Sequence, residues 1–404
     1  MATIEAQDLR RMIRRFRVLI MGRANAGKTT ILQKVCNTID QPEIYDTNGK
    51  KIDAAIVKSS IKRGNHDITN EMVFKSNPGF VFYDSCGFEA GSEEEFENMK
   101  KFISERAHAT ELEDWIHAIW YCIPMDDPSR TFQRSEEKFF RECDTGHVPV
   151  VAVFTKFEAL RPFAYGEIKK QLKGVSAEER SKRIAERVEE LFTKTGILNQ
   201  LRNPENLARP KSYVRLQNMN QQNTNCDTLL ESTTFALDDE ELRSCLVSTQ
   251  KSNLELCIKC AIATLVDRAH KKFDYEHYQH DIAKWFPHLK AKIRRDDIIR
   301  VLQPLTMKGS LFTSTANRII QTGIATIIVL EYSAFLPYKS KGSELVESAV
   351  ESAVDYYLKS PMVVTVEKVA KEICRQDHHG EELGKKILEF ILGNRLSKNL
   401  TDKK

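Results

Sequence analysis

Residues 22–29, Gly-Arg-Ala-Asn-Ala-Gly-Lys-Thr, carry the spacing G-x-x-x-x-G-K-T. Between a strand and a helix, such a run gathers backbone N–H groups around a phosphate, helped by the positive end of the helix. The apolar run Phe16–Met21 precedes it, and a helical pattern opens at Thr29-Thr30-Ile31-Leu32. The expected phosphate cradle is therefore Arg23, Ala24, Asn25, Ala26, Gly27, Lys28, Thr29 and Thr30. Lys28 would reach the β- and γ-phosphates, and the Thr29 hydroxyl would hold Mg²⁺.

A phosphate loop alone does not separate kinases, ATPases and GTPases. Phe80-Val81-Phe82-Tyr83 runs into Asp84-Ser85-Cys86-Gly87, an apolar strand ending in D-x-x-G. Asp84 would bind Mg²⁺ through water, and the Gly87 N–H would sense the γ-phosphate, coupling phosphate state to a loop. The next apolar strand, Val150–Phe154, ends in Thr155-Lys156-Phe157-Glu158, at the position of an [NT]-K-x-D element. A carboxylate there accepts hydrogen bonds from guanine N1–H and N2–H₂, donors that adenine lacks. Glu158 can make the same contact if its extra methylene is accommodated; the other reading is a strand-end Thr-Lys pair with no base contact. Gln217 and Asn218, beyond the strand Tyr213–Leu216, are the candidates for a fifth nucleotide element.

The elements that must position these residues read as alternating strands and helices from Phe16 to about Asn218. Strands are expected at Phe16–Met21, Ile68–Phe74, Phe80–Tyr83, Ile116–Cys122, Val148–Phe154 and Tyr213–Leu216, in a mostly parallel sheet. Lys75-Ser76-Asn77-Pro78-Gly79 has turn chemistry, so the second and third strands are expected as an antiparallel hairpin at one sheet edge. Glu167–Leu201 reads as solvated helix inserted between the later strands. Beyond the polar stretch Gln217–Asp227, one or two long helices are expected to about His270. Further helices are expected at Asp296–Leu302, Ala316–Phe335, Ser343–Leu358 and Val366–Leu392. The division is thus a basic helix at 1–15, a nucleotide-binding domain at 16–235 and a helical domain at 236–404.

The chain has 404 residues, 41% hydrophobic and 29% charged, with a net charge of +4. That is an ordinary soluble balance, too weakly basic to argue for nucleic acid by itself. Arg10, Arg11, Arg14 and Arg15 read as the basic face of a helix packed on the following domain, or as a contact for acidic lipid or RNA. Nine cysteines without an apolar signal segment suggest reduced thiols and a cytoplasmic location, with peripheral membrane contact left open. Cys257-x-x-Cys260 followed by His277-x-x-His280 has a zinc-like spacing, but Leu254–His270 reads as one helix carrying both cysteines on its core face. Ile319–Leu336 is the most apolar stretch. Gln321 and Glu331 interrupt it, and it reads as a buried bundle helix, the other reading being a membrane-contacting or partner-binding helix.

Residues from about 16 to 220 resemble a G domain of the TRAFAC class of P-loop GTPases, closest to the Era, septin and AIG1 relatives. The resemblance rests on Gly-Arg-Ala-Asn-Ala-Gly-Lys-Thr-Thr, which is similar to the Era-type G-R-x-N-x-G-K-S-[ST] loop. Asp84–Gly91 and Ile116–Cys122 are also similar to segments of fungal G-domain proteins. It implies an α/β, three-layer P-loop fold for this half of the chain, with GTP or GDP and Mg²⁺ as ligands; the all-helical C-terminal region is expected from the helical patterns above and resembles no named family. Phe88 stands where Ras-like proteins carry the glutamine that orients water, so hydrolysis is expected to be slow and assisted from elsewhere. One source is K⁺ held by Asn25, which would neutralise developing charge. Others are Arg63 or His66 in the switch segment Ser59–His66, or a group supplied in trans. Asn25 could equally stabilise its own loop, and Arg63 and His66 could be plain exposed residues. Ser60 is the candidate third Mg²⁺ ligand, with Ser59 and Thr69 as alternatives. Glu89, beside Phe88, could position water or simply be solvated. The leading expectation is a GTP switch with nucleotide-dependent pairing through G domains and an effector on the C-terminal helices. The alternatives are a scaffold that holds nucleotide with little hydrolysis, and an ATP-using P-loop enzyme.

Overall fold

The run Phe16–Gly22 forms β1 and is buried along nearly its whole length, as a parallel strand covered on both faces must be. In the computed structural model it lies inside an eight-stranded sheet. The structure describes residues 15–52, 67–85, 93–109, 114–127, 130–249, 253–271, 278–286, 289, 295–306, 315–336, 343–375 and 380–396. The N-terminal basic segment up to residue 14 therefore lies outside the described residues.

In chain order, β1 is followed by α1 (Lys28–Val35), β2 (Glu43–Tyr45), β3 (Lys51–Ile52), β4 (Glu71–Phe74) and β5 (Asn77–Asp84). Then come α2 (Glu93–Ala107), β6 (Ala118–Pro124), α3 (Arg134–Glu142), β7 (Val150–Thr155), α4 (Leu160–Ile168), α5 (Ala177–Lys194), α6 (Ile197–Leu201) and β8 (Pro210–Arg215). The sheet order is β3-β2-β4-β5-β1-β6-β7-β8. From β5 to β8 neighbouring strands run parallel, and from β3 to β5 they run antiparallel. The α/β class and the mostly parallel sheet are as the sequence implies.

Two details of the hairpin differ from expectation. The turn is Lys75–Ser76 alone, and Asn77-Pro78-Gly79 already belongs to β5. The hairpin is also not an edge, because β2 and β3 extend the sheet beyond β4. Pro78 is tolerated at the start of a strand, where no ladder N–H is required. Gly79 leaves room for Thr249, whose methyl carbon would lie 3.0 Å from a Cβ there.

Thr249 ends the second of two helices that follow β8, α7 (Asp227–Ala236) and α8 (Glu240–Thr249). Trp120 of β6 donates through Nε1 to Thr233 Oγ1 of α7 at 2.9 Å, both groups buried. Asn77 Nδ2 donates to the Thr249 carbonyl at 3.1 Å. These helices cover the sheet, and the first compact unit accordingly extends to Thr249, with the second running from Gln250 to Lys404. The expected boundary after Phe235 falls at the last residue of α7 and assigns α8 to the helical domain, whereas α8 belongs to the first unit.

Among the described residues the second unit is helical: α9 (Leu254–Lys271), α10 (Tyr278–Ala283), α11 (Arg295–Leu302), α12 (Thr315–Ser333), α13 (Ser343–Lys359), α14 (Met362–Arg375) and α15 (Gly380–Gly393). The apolar α12 is its axis, burying Ile324, Ile327, Ile328, Val329 and Leu330. At Gly323 it crosses α9 so closely that a Cβ would lie 2.3 Å from Leu265 Cδ1. Cys257 and Cys260 are both buried on α9; His277 lies outside the described residues. No described helix is long and apolar enough to cross a membrane. The expected single helix Val366–Leu392 is two, because Gly380 has a φ of +55°, a left-handed residue through which no α-helix continues.

Candidate functional site

β1 delivers the chain to Gly22, whose φ is +128° and whose Cβ, if present, would lie 2.2 Å from the Cys122 carbonyl oxygen on β6. Only glycine lets the two strand ends approach this closely. The loop then turns, with the Ala26 N–H donating to the Arg23 carbonyl at 3.2 Å and Asn25 in the left-handed region at φ 62°. Gly27, at φ 83°, enters α1, and the Ile31 N–H donates to its carbonyl at 3.1 Å. Asn25, Ala24 and Thr29 are exposed at the mouth of this loop, and Thr30 is half-buried.

Lys28 folds back across the loop and is only 8% exposed. Its ammonium donates to the Gly22 carbonyl at 2.8 Å and to the Arg23 carbonyl at 3.3 Å, and lies 3.7 Å from Asp84 Oδ1 at the end of β5. Packed beneath the loop, Cys122 has its thiol pushed up to about 12 by burial.

The end of β7 closes the other side. Thr155 is buried, and its hydroxyl donates to the Ala26 carbonyl at 2.8 Å, tying the Thr-Lys-x-Glu segment to the phosphate loop. Lys156 takes a left-handed conformation and pairs with Asp126, just beyond β6, at 2.5 Å. Glu158 Oε2 accepts the Asn218 N–H at 2.9 Å, while the Phe157 N–H donates to the Leu216 carbonyl at 3.1 Å. Gln217 is exposed. From the last turn of α1, Lys34 Nζ donates to the carbonyls of Gln221 (2.5 Å) and Gln222 (3.2 Å).

The structure thus brings Gly22–Thr30, Asp84, Thr155–Glu158 and Gln217–Asn218 to the carboxyl ends of the parallel strands, where open α/β sheets bind ligands. Ser59, Ser60, Arg63, His66, Gly87, Phe88 and Glu89 lie outside the described residues. Thr69 is described, and its hydroxyl donates to Asp67 Oδ1 at 2.6 Å.

Three residues of this region escaped the sequence reading. Lys34 and Asp126 carry no motif; only the fold brings them to the loops they hold. Glu136 is fully buried, with Oε1 2.9 Å from Arg23 Nε. It lies in the first turn of α3, where Gln133 and Glu136 form a capping box. The spacing Gln133-x-x-Glu136 was visible, but the box begins with Gln rather than the usual Ser or Thr.

Residues 17–156 match the family model described as 50S ribosome-binding GTPase. The match spans the phosphate loop, D-x-x-G and the Thr-Lys pair, and stops before Glu158. No curated protein matches the chain. Similar solved structures include a GDP-bound mutant of S. thermophilus NFeoB, at 12% identity and a TM-score of 0.28 over 84% of this chain and 99% of that one. An oligomerised bacterial dynamin pair is similar at 11% identity and a TM-score of 0.28, over 99% of this chain and 74% of that one. At such distance the family match, not these neighbours, carries the assignment.

Proposed function

We propose that this chain, which carries a TRAFAC-class P-loop GTPase G domain matched by the family model over residues 17–156, is a guanine-nucleotide switch that binds GTP with Mg²⁺ and hydrolyses it slowly. The observation that supports the reading is the joining of four strand ends, those of β1, β5, β7 and β8, by three links: Lys28 to Asp84 at 3.7 Å, Thr155 to Ala26 at 2.8 Å and Glu158 to Asn218 at 2.9 Å.

In this reading Lys28 turns from the carbonyls of Gly22 and Arg23 to phosphate oxygens. The loop from Arg23 to Thr30 supplies N–H donors. The Thr29 hydroxyl and, through water, Asp84 offer the oxygen ligands that a hard cation such as Mg²⁺ takes; Ser60 would complete the set. When bound, the ion neutralises charge on the phosphates. Glu158 has one oxygen committed to Asn218, so its Oε1 is the acceptor for guanine N1–H, and Gln217–Asn218 flank the base. Slow turnover follows from Phe88, which cannot orient water by hydrogen bonding. Asn25 holding K⁺, or Arg63 and His66, would supply the missing help, and a second G domain could do so in a nucleotide-dependent dimer.

The test is binding of labelled GTP against GDP and ATP, single-turnover phosphate release, and size exclusion in GDP and in a non-hydrolysable GTP analogue. Guanine-selective binding, slow phosphate release and a larger species with the analogue are expected. ATP displacing GTP at equal concentration would sink the guanine reading. Binding without phosphate release would leave a nucleotide-holding scaffold.

A further inference from the structure

Arg23 is the one charged residue inside the phosphate loop before Lys28, and it is turned inward. Its side chain is 12% exposed, and Glu136, which it meets at 2.9 Å, is 0% exposed. The other oxygen of Glu136, Oε2, is held by two donors of its own helix start, the Gln133 N–H at 3.0 Å and the Ser135 hydroxyl at 3.0 Å. The carboxylate therefore cannot follow Arg23 if the loop shifts. Arg23 is in turn the main-chain hinge of the loop, because its carbonyl accepts both the Ala26 N–H and the Lys28 ammonium. Arg23 Nε and Glu136 Oε1 are close in charge but off hydrogen-bonding angle, and both atoms are buried without a hydrogen bond. A buried pair of that kind is poor value for stability compared with apolar packing, and buried ion pairs are best attested where they fix a register.

Two residues further along α3, Lys138 grips Glu93, the first residue of α2, at 2.6 Å. Just beyond β6, Asp126 grips Lys156 of the base-reading segment. The stretch from Asp126 to Lys138 thus touches the phosphate loop, the Thr-Lys pair and the helix that follows D-x-x-G.

We propose that Glu136 is a positioning residue for the phosphate loop: from the capped start of α3 it fixes Arg23, and through the Arg23 carbonyl it sets the loop before the nucleotide arrives. The inference rests on the reading of this loop as a nucleotide site. Its signature is phosphate dependence. A loop held in advance gives affinity to the β-phosphate, because the ordering cost is met on folding rather than on binding. A residue with a merely structural role would affect every ligand alike.

The experiment measures affinities of GTP, GDP, GMP and guanosine for the wild type, Glu136→Gln, Arg23→Met and the double variant, with thermal unfolding alongside. Glu136→Gln should weaken GTP and GDP about tenfold or more, in line with the cost of a small misplacement, and leave GMP and guanosine unchanged. The double variant should lose no more than either single one, since both remove the same link. Should Glu136→Gln not fold, Arg23→Met/Glu136→Met leaves no buried charge and carries the same test. Equal loss for all four ligands, no loss, or tighter binding by a released Arg23 would overturn the proposal. A wild type that binds none of the four overturns the nucleotide reading and this inference with it.

Discussion

At the scale of single residues, the two glycines of the phosphate loop do different work. Gly22 is required by contact, since its Cβ would lie 2.2 Å from a carbonyl oxygen, whereas Gly27 meets nothing within 4 Å and is required only by its φ of 83°. Gly22→Ala should therefore cost about 3 kcal/mol or more of stability, and Gly27→Ala about 1–2 kcal/mol. Denaturant unfolding of the two variants checks the order. Glu158→Gln puts an amide donor against the guanine donors. Binding of GTP should fall about a hundredfold, while xanthosine triphosphate, with a carbonyl at C2, should gain; competition binding reads both. Asn25 separates two roles cleanly. Its left-handed φ of 62° is one that glycine adopts freely, so Asn25→Gly keeps the loop and removes the side chain. If Asn25 holds K⁺, wild-type hydrolysis is faster in KCl than in NaCl, and the difference vanishes in the variant. Equal wild-type rates in the two salts would end the potassium idea.

At the scale of elements, the covering helix α7 is fastened to β6 by one buried bond, Trp120 Nε1 to Thr233 Oγ1. Thr233→Val should leave the indole N–H without an acceptor and cost about 1–3 kcal/mol, with Thr233→Ser recovering most of it. Equal stability of the two variants, read by denaturant unfolding, would show that this bond does not hold α7. The central strands were legible because parallel strands buried on both faces are written as continuous apolar runs, as in Phe16–Gly22 and Val150–Thr155. The phosphate loop, D-x-x-G and Thr-Lys segments were legible because each follows such a run. What stayed hidden lacks periodicity. β2 and β3 are three and two residues long, too short for alternation to register. Their corner is set instead by side chains, with Glu43 accepting from Lys51 at 2.6 Å and Tyr45 at 2.7 Å. Lys34, Asp126 and Glu136 were hidden for another reason: their partners are distant in sequence, and only the sheet order brings them near.

At the scale of the whole molecule, both units carry thiols that burial holds in the protonated form. Cys36, Cys122, Cys143, Cys226 and Cys257 are each pushed from an ordinary 9.0 up to about 12. The unfolded chain loses these protons first, so the folded state binds more protons above pH 9. The stabilisation is complete below about pH 9 and is lost as pH rises towards 12. Unfolding midpoints should fall steeply across that window, and a flat profile from pH 9 to 11 would contradict it. At pH 8 the same five thiols should resist alkylation until the chain is unfolded, which mass spectrometry of labelled peptides would show. The helical pair α4 and α5 has a small core of its own, Ala164, Leu172 and Ile184 with Ile168, Val188 and Leu191 packed on it, and meets the principal core of the first unit through Leu160 and Phe192. A pair with its own small core is a cooperative unit that can open while the sheet stays closed. Glu158 lies in the single turn Phe157–Ala159 that leads directly into α4. Opening of that pair, seen as amide hydrogen exchange ahead of the strands, would therefore slacken the base-reading carboxylate first, making nucleotide lifetime a property of a helical hairpin rather than of the phosphate loop.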